Sequence, residues 1–178
     1  MIRNIPLIKR FARNEDGQML VEFVLLVPLV FTIFLTSVEM GIYSMRQMFL
    51  DRGLDITVRT IRLATGDVPQ HAQLKTMICD NAGFLPDCET TLRLEMQPVD
   101  ARNFAGLPTN ADCVDVSEPV VPLRSFVPGG DHQLMLLRAC VKFDPVFPTT
   151  GLGHAFVKDG SGRAKMTSMA AFVQEPNT

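Results

Sequence analysis

Gly17-Gln18-Met19-Leu20-Val21-Glu22-Phe23 opens an apolar run that continues through Pro28 to Val38, and Glu22 is its only charged residue. From Gln18 to Val38 there are 21 residues (38 − 18 + 1). At about 1.5 Å of rise per residue, a helix of that length reaches ~31 Å, enough to cross a hydrocarbon core of ~30 Å. A carboxylate in such a segment is costly unless it is paired, which marks Glu22 as a functional candidate. The competing reading is a side chain that snorkels to the headgroups from about one turn inside the helix.

Working outward, residues 1–17 form a short basic leader. Arg3, Lys9, Arg10 and Arg13 stand against Glu15 and Asp16, a net of +2 within a chain whose net charge is −2. The 15 positions after the run contain only Arg46 and Arg52 as basic residues. The excess of basic charge on the leader side predicts a cytoplasmic N-terminus and an exported C-terminal part. An ordinary cleaved secretory signal fits less well. Its apolar region should span about 7–15 residues and end at a small-x-small site, and no such site follows Val38.

The whole chain has 178 residues, 47% of them hydrophobic, and a mean hydropathy of +0.17. That leaves room for one domain besides the anchor. The net charge of −2 argues against nucleic acid as a main partner. All four cysteines (Cys79, Cys88, Cys113, Cys140) lie beyond the anchor, and an even number in an exported region points to disulfides. Three connectivities are open; the local one, Cys79–Cys88 with Cys113–Cys140, is expected here. It would tie the second helix to the first strand and a proline-rich connection to the sheet.

Periodicity divides the remainder. Ile42, Met45 and Phe49, and separately Leu50, Leu54, Val58 and Ile61, recur at helical spacing, so the anchor helix should continue as a stalk to a stop near Thr65-Gly66 and Pro69. Arg46, Arg52, Arg59 and Arg62 are expected on its solvated side. A second helix is predicted over 70–82. From Thr90 the period becomes two: Leu92, Leu94 and Met96 alternate with Arg93, Glu95 and Gln97 in a half-buried strand. A long connection with five prolines follows over 98–131, with room for an edge strand. Strands are predicted over 133–143 and 164–173, with 144–153 a loop and Asp159-Gly160-Ser161-Gly162 a turn. Strands joined without intervening helices imply an antiparallel sheet. The expected fold class is α+β: a long N-terminal transmembrane and stalk helix followed by a small antiparallel sheet. The expected parts are 1–17, 18–66 and 67–178.

Taken together, Arg10-Phe11-Ala12-Arg13, Asp16-Gly17, Val21-Glu22-Phe23 and Pro28 resemble the TadE/TadF group of pilin-like proteins in the Tad (Flp) pilus system. Asp87-Cys88, Phe126-Val127-Pro128-Gly129-Gly130, Gly151-Leu152-Gly153 and the final Phe172-Val173-Gln174-Glu175-Pro176 are similar to the punctuation of that group. The resemblance implies a minor pseudopilin inserted in the inner membrane, with its C-terminal domain periplasmic or carried on an extracellular pilus. It further implies cleavage between Gly17 and Gln18 by a prepilin peptidase. Glu22 would pair with the new amine of a neighbouring subunit, and Phe23 and Pro28 would shape assembly. Implied partners are membrane lipid, the peptidase, other Tad pilins and the assembly platform, in pilus assembly or adhesion. By its own chemistry, Pro28 should kink the helix by freeing the Val24 carbonyl.

No enzymatic, metal or cofactor role is expected. His71, His132 and His154 lack metal-like spacing, no C-x-x-C occurs, Gly151-x-Gly153 lacks a third glycine, and Ser161 is not in a G-x-S-x-G. The alternative to a pilin-like role is an uncleaved single-pass membrane protein whose exported domain binds a ligand or an envelope partner.

Overall fold

The computed structural model describes residues 17–63, 69–100, 102, 110, 111, 113, 114 and 126–176. The leader up to Asp16, the stop at Thr65-Gly66 and most of the proline-rich connection lie outside them.

Helix α1 runs from Gln18 to Leu63, 46 residues with Pro28 inside and no break in the helical assignment there. Its two halves live in different surroundings. Up to Phe34, apolar side chains point outward on every side: Met19, Leu20, Phe23, Leu25, Phe31, Ile33 and Phe34 are each more than half exposed. From Leu50 onward the stripe Leu50, Leu54, Val58 and Ile61 is buried. Each such leucine contributes about 1.5–3 kcal/mol of burial energy. The second half of α1 is therefore a core element of the folded domain rather than a free stalk. The other expected stripe packs less completely, since Met45 is exposed.

Helix α2 spans His71–Asn81, with the Gln70 N–H donating to Gln73 Oε1 at 2.8 Å to close its start. It buries Leu74 and Ile78 against α1. The close approach occurs at Gly53, where an added Cβ would lie 2.8 Å from the Ile78 carbonyl oxygen and 3.1 Å from Ala82 Cβ. A four-residue helix α3, Cys88–Thr91, then leads into the sheet.

The sheet is antiparallel with strand order β1-β2-β3: Arg93–Pro98, Leu134–Phe143 and Ala164–Val173. Met135, Leu137, Ala139, Val141 and Phe143 of β2 are all buried in one core with residues of α1 and α2, as the period of two predicts. The expected α+β plan is present.

Three sequence expectations need correction. Strand β1 is not half-buried: Arg93 and Glu95 are buried as fully as Leu94 and Met96. On the second face of the sheet, Asn110 and Cys113 lie against Arg138 and Cys140, and Glu95 and Arg138 are paired there. Glu95 meets Arg138, its cross-strand partner in register, at 2.6 Å, and Arg138 Nη2 also donates to the Asn110 carbonyl. The stretch 144–153, read as a loop, closes into a short helix α4, Gly151–Ala155, too brief to show a period. Finally, Arg46 is not on a solvated face, as described below.

The proline-rich connection rejoins β1 as an isolated parallel bridge between Met96 and Phe126, with the Val127 N–H donating to the Met96 carbonyl at 2.8 Å. Among the described residues it forms a bridge and not a strand. The cysteines are joined as Cys79–Cys88 and Cys113–Cys140. The first bridge links α2 to α3; the second fastens Cys113 to β2.

Candidate functional site

The site begins where helical backbone begins. Gly17 is a turn residue whose carbonyl accepts the first helical hydrogen bond, from the Val21 N–H at 3.1 Å. A Cβ added to Gly17 would meet nothing within 4 Å, and its φ is not in the left-handed region. Among the described residues nothing thus demands glycine at this position, unlike at Gly53. Gln18 opens α1 directly after it.

Glu22 lies on the exposed surface of α1, and no hydrogen bond or ion pair reaches it among the described residues. Phe23 is 64% exposed, and Pro28 is exposed as well. The three residues share a contiguous apolar surface in which Met19, Leu20, Leu25, Phe31, Ile33 and Phe34 are each more than half exposed, the kind of patch that marks an interaction or membrane site. Hydroxyls inside this stretch are satisfied within the helix. Thr32 Oγ1 donates to the Pro28 carbonyl and Thr36 Oγ1 to the Thr32 carbonyl, both at 2.7 Å, and Ser37 Oγ donates to the Ile33 carbonyl at 2.9 Å. Such back-bonding removes the cost of placing hydroxyls where water is absent. Among the described residues, α1 is the one helix long and apolar enough to cross a membrane.

At the end of the apolar run sits an acid that sequence reasoning missed. Glu39 is only 1% exposed. Its carboxylate accepts two backbone hydrogen bonds from the segment after β2: the Val146 N–H at 3.1 Å and the Phe147 N–H at 2.8 Å. One turn below, Gly151 (φ +48°) rests on Thr36 so closely that a Cβ there would collide with Thr36 Oγ1. One turn above, Tyr43 packs against the rings of Phe143 and Phe156, with centroids 5.8 and 5.4 Å away. Higher still, Arg46 lies 5.5 Å over the Phe143 ring and donates to the Asp144 carbonyl at 3.0 Å. Residues 143–156 thus form a collar gripping α1 from Thr36 to Arg46. The sequence signal was available: an acid one position past the apolar run, in helical register with Tyr43 and Arg46.

Beyond the collar, the turn after α4 is held by Asp159. Its carboxylate pairs with Lys142 and accepts from the Ser161 N–H, the Ser161 hydroxyl and the Arg163 N–H. Burial pushes this carboxyl up, but those donors outweigh it and hold Asp159 well below the ordinary carboxylate range.

The site residues therefore fall into two groups. Gly17, Gln18, Glu22, Phe23 and Pro28 lie together at the N-terminal end of α1 without touching the domain, while the four cysteines fasten the domain far from them. No curated protein and no solved structure matches this chain. Residues 17–59, which begin at Gly17 and take in most of α1, match the family model described as TadE-like protein, so it is over that helix that the chain is similar to this family.

Proposed function

We propose that this protein is a pilin-like component of Tad pilus biogenesis, anchored in the inner membrane by residues 18–38 and cleaved by a prepilin peptidase after Gly17. The observation that carries the reading is the coincidence at one point of the family match, the helix start and a glycine that nothing among the described residues demands. A peptidase that must bind extended backbone closely supplies the missing reason, because glycine has no side chain to obstruct it.

Cleavage frees an α-amino group at Gln18, four residues before Glu22. Positions four apart lie on one helix face, so this carboxylate faces the amine of its own chain or of a subunit packed alongside. Pairing across subunits neutralises both charges inside an assembly, and the exposed apolar surface around Glu22 provides the packing area. The role is structural and not enzymatic. Other Tad pilins and the assembly platform are the partners, and the domain stands on the periplasmic side or on the pilus surface.

Glu22→Ala tests the pairing. Removing a charge makes the anchor more apolar, so the variant should insert and be processed normally. Co-purification of partner pilins and the number of surface pili should both collapse. Normal pili together with normal co-purification would leave Glu22 without this role.

A further inference from the structure

The collar has a composition of its own. From Pro145 to Val157, 13 residues carry no Asp, Glu, Lys or Arg, and the stretch is bracketed by Asp144 and Lys158. It does not bury all of this apolar surface: Val146 is 44% and Val157 83% exposed. Its height along α1 is fixed. Val146 and Phe147 hang on Glu39, one position beyond the end of the apolar run, and Gly151 rests on Thr36, inside that run. Three residues of helix correspond to about 4.5 Å of depth. Charge resumes at both ends of the stretch, where Asp144 pairs with Arg163 at 3.5 Å and Lys158 turns back to the Pro148 carbonyl.

We propose that residues 145–157 are a membrane-interface element. They lie in the headgroup and upper acyl region of the leaflet from which the domain emerges and seat the sheet directly on the lipid surface. This rests on the reading that residues 18–38 span the bilayer. The occupant of the apolar face of the collar is lipid, because the same helix that crosses the hydrocarbon core holds that face at its boundary. Glu39 then has a specific task. A carboxylate at this depth is satisfied by two fixed backbone donors, and those donors at the same time leave water. A free-standing domain on a stalk would need none of these features.

The chain contains no tryptophan, so single-tryptophan reporters are unambiguous. Full-length Val146→Trp, Phe34→Trp and Val127→Trp proteins are reconstituted in phosphatidylcholine vesicles containing lipid brominated either near the glycerol or near the chain ends. Val157→Trp replaces Val146→Trp if that variant does not fold. The collar tryptophan should be quenched by the shallow bromines more than by the deep ones and be shielded from aqueous acrylamide. The Phe34 reporter should be quenched by deep bromines. The Val127 reporter, beside the opposite end of the sheet, should be quenched only by acrylamide. A collar tryptophan that behaves like the Val127 reporter while Phe34→Trp is lipid-quenched overturns the proposal and leaves the membrane span standing. A Phe34 reporter that escapes lipid quenching defeats the span, and the proposal with it.

Discussion

Glu39 shows how much one side chain holds in this molecule. Hydrogen bonds to a charged acceptor contribute about 1.5–3 kcal/mol each, and losing the acceptor leaves the Val146 and Phe147 N–H groups without it. Glu39→Ala should therefore destabilise the domain by at least ~3 kcal/mol and release the collar first. Amide exchange at Val146 and Phe147 should quicken far more than exchange in β2, and unchanged protection there would contradict the assignment. Asp159 makes a different prediction. Its carboxyl is depressed in the folded state, so its stabilisation is complete above the unfolded carboxylate value and lost as pH falls through the folded one. Asp159→Asn should cost about 3 kcal/mol at pH 7, because it leaves Lys142 buried without its partner. The gap between variant and parent should begin to close below about pH 4, the unfolded Asp value. Denaturant titrations of both proteins across pH 7 to 2 measure it; a gap that widens on acidification would be the wrong sign.

At the scale of elements, the folded domain is α1 and α2 packed on one face of a three-stranded sheet, with covalent staples where the packing is thin. The Cys79–Cys88 bridge closes a separation of 9 residues and Cys113–Cys140 one of 27. On the chain-entropy account, the shorter bridge is worth about 2.7 kcal/mol and the longer about 3.6. Replacing the second pair by serines should therefore lower the unfolding midpoint more than replacing the first. It should also loosen the Asn110 contact over Arg138 and expose the Arg138–Glu95 pair. Gly53→Val should separate α1 from α2, since its Cβ meets backbone and not a flexible side chain. A melting temperature unchanged from the parent would refute the close contact. These elements differed in how openly the sequence announced them. The stripe Leu50, Leu54, Val58, Ile61 and the alternation Met135 to Phe143 are long, and each sets an unbroken row of apolar residues on one face, so period alone placed them. Arg93 and Glu95 misled because alternation reports polarity, not exposure, and paired charges can be buried. Glu39 and the five-residue α4 were hidden for another reason: their meaning lies in contacts more than a hundred positions apart in sequence.

For the whole molecule, the physical division is between a naked apolar helix and a domain that begins where that helix leaves its apolar run. Nothing in the described residues covers the surface from Met19 to Phe34, so the domain does not bury it. On the function proposed above, a bilayer or neighbouring helices do. A TadE-like helix with a basic leader before Gly17 and a disulfide-stapled sheet beyond Glu39 fits a membrane protein, and the pilin-like account adds that its N-terminus is made by cleavage. The most direct test is the intact mass and N-terminal sequence of the protein extracted from membranes of a strain with functional Tad pili. The account predicts a chain of 161 residues (178 − 17) beginning at Gln18, and full-length protein persisting when Gly17 is replaced by a bulky residue such as leucine. A chain that retains its leader in such a strain would contradict the account and favour an uncleaved single-pass protein whose exported domain binds an envelope partner.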